Sequence, residues 1–538
     1  MKDLLTVLSL ANLCFFGVWS SILYPSFNGY HLDSPPTGLN AIALVIDVLV
    51  LAGIIWLVFV FVKRKNNHYL NVAARFGFIF LAATGLYSFI KSTFGTITLP
   101  AMAAIVGKPA AVALVVAVIF AALYSLVTCS RQIAAGLRKI VLLASPLILL
   151  TFFQSAVLAV RYEMKAAEVA SAVTEDVTEQ PIVNSGPRIV WIIFDEFDYR
   201  AAFPSRPSDL TLPEIDRLAN ESFFATNAHS PSGWTLKSLP ALLTGKLVAD
   251  AKEKSFDELD IRFADSDKFV DWKSQPNIFS ALNDGSGRSA IAGWYHPYCR
   301  LFTDEVQQCV EGKQYTPPVV EKPALSVMAN MDNYFFQMAS AIPVIKDLSI
   351  VLSGVTSDKE FAESSEYWNE RAVAAAKAPQ FSFVFLHIPA AHGPYLYDRA
   401  TGQFDYRRQT NYFDGLALVN DVLGKVRRNM EDNGVWDKSV VIVSSDHWWR
   451  NLDGTKHGVW SDEEKAVAAG DKDFRVPFIV KPVTNTGDTA DPQMKYTPMF
   501  NTVLTHDLIL AMRHGEVSTS HEIAAWLDGH RTIGKTQY

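Results

Sequence analysis

Five long apolar runs crowd the first 162 residues of this chain: Leu4–Tyr24, Leu39–Val62, Ala73–Ile90, Ala110–Val127 and Ile140–Val160. A helix crosses the hydrocarbon of a bilayer with roughly 17–25 mostly apolar residues, so each run is long enough to span one. A soluble helical domain would have to hide five almost charge-free segments in succession. A cleaved signal peptide would account for the first run alone, and no small-residue cleavage site stands near Tyr24. The third run, with Arg75 near its start and Lys91 at its end, carries the weakest signal.

Charge in the connections gives an orientation. Lys63, Arg64, Lys65 and Arg75 fall between the second and third runs, and Arg131, Arg138 and Lys139 between the fourth and fifth. The first connection, Pro25 to Gly38, has no Lys or Arg, and the third has Lys91 and Lys108. By the positive-inside rule the N-terminus is cytoplasmic and the chain after Val160 lies outside, with Arg161 and Lys165 the dissenting charges. The expected organisation is a five-helix transmembrane domain over 1–162, an interfacial helix and linker over 163–186, and an exported domain over 187–538.

Of the four cysteines, Cys14 and Cys129 sit in or beside membrane runs. Cys299 and Cys309, in "YCRLFTDEVQQC", fall in the exported part, where a disulfide closing a short loop is expected. No cysteine pair has zinc-ribbon spacing. A net charge of −7, with no basic stripe interleaved with aromatics, argues against a nucleic-acid partner.

Three segments of the exported part read as strands buried on both faces: "RIVWIIFDEFD" from Arg188, "FSFVFLHIPAAHGP" from Phe381 and "SVVIVSSDHWW" from Ser439. Helix-like stretches, such as Leu212–Ala219 and Asn411–Glu431, separate them. The expected fold is α/β, a mostly parallel sheet flanked by helices. Functional groups gather beyond the carboxyl ends of strands in such sheets. Here those ends carry Asp195, Glu196 and Asp198, then His387 and His392, then Asp446 and His447, with His457 ten residues on from His447. Carboxylates and imidazoles are the usual ligands of a catalytic zinc that keeps a position open. The stretch "HSPSGWTLKSLPALLTG", from His229 to Gly245, supplies a Ser/Thr-rich turn before a leucine-periodic helix with a glycine stop. Read alone, Thr235 is a helix-starting residue; beside three strand ends of this kind it becomes the leading candidate nucleophile.

The combination resembles the alkaline phosphatase superfamily, and within it the sulfatase-like, membrane-anchored phosphoethanolamine transferases and lipoteichoic acid synthases. The resemblance rests on Asp195 in "WIIFDEF", Thr235 in "WTLKSLP", "HIPAAHGP" with His392, Asp446 and His447 in "SDH", His457 in "KHG", and the apolar segment "FRVPFIVKP". It implies five membrane helices and an extracytoplasmic catalytic domain, in the periplasm or its equivalent, on a bacterial cytoplasmic (inner) membrane. It implies Zn²⁺, with Mn²⁺ as the alternative, held by Asp195, Asp446, His447 and the Thr235 oxygen. His392 and His457 would face the phosphate, protonate a leaving oxygen or hold a second metal. The implied reaction moves a phospholipid head group, phosphoethanolamine first among candidates, through a phosphothreonine to an envelope lipid or glycan such as lipopolysaccharide. A phosphoglycerol transferase and a phosphodiesterase are the alternatives within the superfamily, and an inactive membrane scaffold the rival outside catalysis.

The sequence also departs from that pattern. Asp195 replaces a more usual Glu, "SDHWW" replaces "SDHGE", and the cysteines that flank many such nucleophiles are absent. The Cys/Ser-x-Pro-x-Arg motif that makes formylglycine in sulfatases is missing too. Tyr295 and His296, in "GWYHPYC", and Ser238 are the candidate substrate-binding residues, with a structural loop as the competing reading of the aromatic cluster. Glu196 and Asp198 read as supporting or helix-starting acids, and His387 as a packed strand residue. Trp448 and Trp449 either shield the metal or touch lipid.

Overall fold

The computed structural model describes residues 2–23, 30–31, 38–94, 108–172, 186–255, 257–283, 287–311, 357–405, 410–450, 460–468, 473–484 and 493–531, with 327, 328, 331, 334, 335 and 338. They form two compact units, Met1–Val177 with Thr316–Val355, and Thr178–Tyr315 with Thr356–Tyr538.

The first unit is helical: Lys2–Cys14, Phe16–Leu23, Gly38–Lys65, His68–Phe94, Lys108–Leu143 and Pro146–Ala172. Among the described residues three stretches are long and apolar enough to cross a membrane, Gly38–Lys65, His68–Thr93 and Tyr124–Val157, against the five expected from the apolar runs. The first run is helical over Lys2–Cys14 and Phe16–Leu23, and hydrogen bonds from Phe15 N to Ala11 O at 3.3 Å and from Trp19 N to Phe15 O at 2.9 Å carry the ladder across the turn at Phe15. The fourth run belongs to the helix Lys108–Leu143, which has a non-helical residue at Cys129. Polar side chains inside this unit satisfy one another, as they must where water is scarce. Trp19 Nε1 and Thr151 Oγ1 both donate to Asn12 Oδ1, at 2.9 and 3.1 Å. Gly85 lets its helix close on the first one, since a Cβ there would stand 3.1 Å from Leu13 Cβ.

Val327, Met331, Tyr334, Phe335 and Met338, far along the chain, pack with the N-terminal helices in this first unit. Tyr334 is buried among Val7, Phe15, Trp19 and Leu44, and its hydroxyl accepts a hydrogen bond from Asn40 Nδ2 at 2.7 Å. Phe335 meets Phe15 edge to face at 5.3 Å.

The second unit is built on a mixed sheet of nine strands among the described residues. In chain order these are β1 (Arg188–Phe194), β2 (Phe223–His229), β6 (Ser289–Gly293), β7 (Gln308–Glu311), β8 (Phe383–Ile388), β11 (Ser439–Ser445), β12 (Arg475–Lys481), β13 (Met494–Tyr496) and β14 (Phe500–Asn501). Their order across the sheet is β13-β2-β12-β11-β1-β8-β6-β7, with β14 also pairing β2. Only β12 runs antiparallel to its neighbours. Strands β3 (Val248–Ser255), β4 (Glu258–Phe263) and β5 (Val270–Asp271) form a small side sheet, and β9 (Tyr397–Asp398) and β10 (Gln403–Phe404) a hairpin.

The three apolar segments singled out in the sequence are β11, β1 and β8, adjacent and parallel at the sheet's centre. Every residue of β8 and β11, and all but the first of β1, is buried. Burial on both faces removes the need for alternation, so these strands read as unbroken apolar runs. Because β11 and β12, and β12 and β2, pair antiparallel, β2 points the same way as β11. The carboxyl ends of β1, β2, β8 and β11 therefore open on one edge of the sheet.

Candidate active site

Strand register sets the first part of the site. Phe194 of β1 lies beside Ser445 of β11, so the next residues, Asp195 and Asp446, leave the sheet side by side. Ser445 ties the two turns together, its hydroxyl accepting from Phe197 N at 2.9 Å and lying 2.7 Å from Phe194 O. The helix Tyr412–Asp432, started by a capping box between Asn411 and Asp414, brings the Tyr412 hydroxyl to the turn after β1. It donates to Glu196 O at 2.6 Å and accepts from Asp198 N at 3.0 Å.

From β2 the chain turns through Ser230–Trp234 into the helix Thr235–Thr244, which ends at Gly245 in a left-handed conformation, φ 68°. Thr235 is the first helical residue; the cap position is Trp234, and no side chain caps the helix. The Thr235 hydroxyl is thus not spent on its own helix. It lies 3.1 Å from His447 Nε2. Gly233 is required here by close approach: a Cβ would come within 2.6 Å of the Trp448 ring.

Asp195, Asp446 and His447 each bring a potential ligand atom to a group within 4.8 Å, and all three are fully buried. His447 Nε2 lies 3.5 Å from Asp195 Oδ1 and 3.4 Å from Asp446 Oδ2. Zinc bonds of about 2.0–2.1 Å in a tetrahedron place ligands roughly 3.3–3.4 Å apart. With Thr235 Oγ1 at 3.1 Å, the spacing suits one small divalent cation.

The hydrogen bonds agree with that fit. Each candidate ligand has one atom pinned by the protein and another aimed at the centre. Asp195 Oδ2 accepts from Trp294 Nε1 at 3.2 Å, and Asp446 Oδ1 from His447 N at 2.8 Å and Glu196 N at 3.3 Å. His447 Nδ1–H donates to Trp448 O at 2.8 Å, which leaves Nε2 as the atom with a lone pair. Asp195 Oδ1 and Asp446 Oδ2 are buried with no hydrogen-bond partner among the described residues, an arrangement a cation resolves. Burial, then the charges of Asp446 and Glu196, hold the Asp195 carboxyl well above its ordinary range, against the opposing pull of Arg450 and Trp294. Burial, with Arg450 next, pushes His447 down to about 3. A neutral imidazole and paired carboxylates short of positive charge are what a divalent ion completes.

The remaining candidates fall around this centre. His392 lies beyond β8, its Nδ1–H donating to Gly393 O at 2.6 Å and its Nε2 accepting from Arg450 at 3.2 Å. His457 lies outside the described residues. His296 is buried behind the nucleophile, its Nε2 3.3 Å from Thr235 O. Ser238 is fully buried and donates to Ser232 O at 2.8 Å, so its hydroxyl holds the turn before Thr235. Tyr295 takes a positive φ of 71° between Trp294 and His296, and burial raises its hydroxyl above the ordinary range. Cys299 and Cys309 are joined in a disulfide. His387 is fully buried in β8, its Nδ1 3.0 Å from both Trp294 O and Tyr298 Oη, and burial pushes it down to about 4. Asp198 caps the short helix Tyr199–Ala202 by accepting from Ala201 N.

Trp448 and Trp449 do not touch lipid: both are buried, Trp448 against Phe474 and Trp449 stacked on Tyr412 with centroids 4.2 Å apart. Two residues that the sequence did not single out complete the site. Trp294 orients Asp195. Arg450 joins Glu196, by a 2.8 Å hydrogen bond from Nε to Oε1, to His392. A cation four residues after Asp446, in a stretch leaving a ligand-bearing strand, was the available signal for Arg450.

An α/β sheet that gathers two carboxylates, a histidine and a threonine hydroxyl at its carboxyl edge defines an enzyme of the metal-dependent hydrolase or transferase kind. The chain belongs to the sulfatase family, whose model matches residues 187–506. Among solved structures it is similar to the lipoteichoic acid synthase LtaP from Listeria monocytogenes, at 13% identity over 65% of this chain and 78% of that one, TM-score 0.36. It is also similar to the phosphonate monoester hydrolase of Agrobacterium radiobacter, at 13% identity over 61% and 77%, TM-score 0.35. A further similar structure is an alkaline phosphatase superfamily protein from Vibrio parahaemolyticus, at 15% identity over 65% and 75%, TM-score 0.34. Among curated protein sequences none matches the chain.

Proposed function

We propose that the protein is a membrane-anchored phosphoryl-group transferase that moves a phospholipid head group, phosphoethanolamine foremost, onto an envelope lipid or glycan through a phosphothreonine at Thr235. The observation that carries this reading is the Thr235 hydroxyl on His447 Nε2, 3.1 Å away, beside two orphaned carboxylate oxygens. A threonine there cannot become formylglycine, which is made from Cys or Ser, so ester transfer through its own hydroxyl is the favoured chemistry. The membrane unit supports the reading, because a lipid donor is reached from a bilayer. Five crossings, with the catalytic unit in the periplasm or its equivalent, remain the proposed arrangement.

Asp195, Asp446 and His447 would hold a divalent cation, Zn²⁺ or else Mn²⁺, which supplies the Lewis acidity that lowers the pKa of an adjacent hydroxyl. Thr235 Oγ1 gives up its proton and attacks the head-group phosphorus, its P–O bond forming as the bond to the diacylglycerol oxygen breaks, so that the proton lost from Thr235 balances the one gained by the leaving oxygen. The diacylglycerol oxygen takes up a proton as it leaves. An acceptor hydroxyl then attacks the phosphothreonine, gives up its proton, and returns Thr235 to its hydroxyl form. The first turn of the Thr235–Thr244 helix presents backbone N–H groups and the positive end of its dipole to the phosphate. His392 is placed to stabilise non-bridging oxygens or pass a proton to the leaving one.

The test uses phospholipids with a fluorescent acyl chain and the full-length protein in detergent. Diacylglycerol release by wild type and none by Thr235→Ala is the expected result. Equal release by both would overturn the nucleophile. Comparing ethanolamine, glycerol and choline head groups names the donor, and water as sole acceptor identifies a phosphodiesterase instead.

A further inference from the structure

We propose that His296 is a positioning residue for the nucleophile: its Nε2–H holds the backbone carbonyl of Thr235 and so fixes where the Thr235 hydroxyl stands. The inference rests on the reading of Thr235 as nucleophile, and it takes His296 out of the substrate-binding role expected from the sequence.

The helix that carries Thr235 is weakly tied by its own residues. No side chain caps it, and Pro240 inside it has no N–H to give to Leu236 O. The turn before it is gathered at one point, Ser232 O, which accepts from Ser230 Oγ at 2.9 Å and from Ser238 Oγ at 2.8 Å. Behind the first helical residue stands His296, 1% exposed, its Nε2 3.3 Å from Thr235 O. A carbonyl only accepts, so Nε2 carries the proton and is spent on the protein. A side chain so buried and so committed meets the main chain of the nucleophile and not a substrate.

The segment bearing His296 is built as a stiff anchor. The imidazole lies edge to face with Trp272, ring centroids 4.9 Å apart. The backbone folds tightly, His296 N donating to Trp294 O at 2.9 Å and Tyr298 N to His296 O at 2.8 Å. Tyr295, between them, takes a φ of 71°, a region costly for a residue with a side chain and held only where the surroundings impose it. Further on, Tyr298 Oη lies 3.0 Å from His387 Nδ1, and Cys299 is bonded to Cys309 of β7. Within three residues this turn delivers Trp294 to Asp195 and His296 to Thr235. One piece of chain therefore registers a candidate metal ligand against the nucleophile. A misplacement of about 1 Å in such a geometry costs on the order of 10²-fold in rate.

The full-length, metal-loaded chain in detergent is assayed for diacylglycerol release, with melting temperature and metal content measured on the same preparations. His296→Phe keeps a ring against Trp272 and loses the N–H. Its kcat should fall roughly 10- to 100-fold, with KM and metal content as in wild type, because the loss is felt at the reacting geometry alone. His296→Gln loses the ring and brings an amide N–H to about the same place, so it should melt lower than His296→Phe and yet turn over faster. A role in packing alone predicts the opposite order of rates, and His296→Gln at or below His296→Phe overturns the inference. So does a kcat in His296→Phe equal to wild type, with or without a raised KM. If His296→Phe lacks a cooperative melt, His296→Gln and His296→Met decide, being similar in length and differing in the N–H: faster turnover by His296→Gln supports the inference and equal turnover overturns it. Each of these outcomes leaves the transfer reading standing. A metal-loaded wild type that releases no diacylglycerol overturns that reading, and the role of His296 with it.

Discussion

The hydroxyl of Thr235 and Nε2 of His447 lie 3.1 Å apart across 212 residues of sequence. Nothing local in either segment demands this meeting. It follows from β2 and β11 pointing the same way in one sheet, and it places a hydroxyl at the fourth corner of an Asp, Asp, His cluster. Removing that hydroxyl should therefore abolish chemistry without dismantling the site. Thr235→Ala is expected to lower turnover by at least about 10³-fold, with metal content and melting temperature close to wild type. Thr235→Ser keeps the hydroxyl and should retain measurable turnover. Steady-state rates of diacylglycerol release, paired with metal analysis, check both.

Trp294 holds Asp195 by the oxygen that does not face the centre. Trp294→Phe keeps the ring's bulk and loses that hydrogen bond. Metal affinity should fall roughly 10- to 100-fold, the usual cost of losing a group that orients a ligand. Competition with a chelator of known affinity measures it, and Asp446→Asn should lose more. Equal affinity in Trp294→Phe and wild type would remove Trp294 from the account.

Asp198 gives the pH dependence. Burial raises its carboxyl from 3.8 to about 7, so between those values the folded chain holds a proton that the unfolded chain releases. Its contribution to stability is fully present below 3.8, declines as pH rises, and is gone above about 7. Asp198→Asn stays neutral at every pH and should gain on wild type as pH climbs from 5 to 8. Melting temperatures of both proteins at the two pH values test this, and a difference independent of pH would contradict it.

Gly233 is fixed by the Trp448 ring rather than by its own backbone angles. Gly233→Ala forces a methyl to within 2.6 Å of ring carbons in a packed wall, and should cost about 1–3 kcal/mol. The melting temperature of the full chain should drop accordingly, and an unchanged melt would show that the ring can yield.

The central strands were legible in the sequence because β1, β8 and β11 are buried on both faces, which leaves unbroken apolar runs ending in acids and histidines. Asp195, Asp446 and His447 followed from those ends. Thr235 was legible through its motif, since its helix alone gives only the spacing of Leu239, Leu242 and Leu243. Trp294 escaped because it reaches Asp195 through a tertiary contact that no spacing encodes, and Arg450 because its place four residues after Asp446 does not tell that it pairs with Glu196. The membrane unit was legible as apolar, because its helices are almost free of charge, whereas the interruption at Phe15 leaves no mark in composition. The segment holding Val327, Met331, Tyr334, Phe335 and Met338 has the period of an ordinary amphipathic helix, so nothing in it tells that its apolar face packs on the N-terminal helices.

The central claim is a covalent one, and mass spectrometry of the Thr235 peptide tests it directly. The full-length, metal-loaded protein is incubated with membrane phospholipid without acceptor, quenched in acid and digested. A phosphodiester adduct on Thr235 with the mass of a phosphorylated head group is the predicted result, and it is absent after metal removal. An unmodified Thr235 peptide from protein that is releasing diacylglycerol would contradict the account.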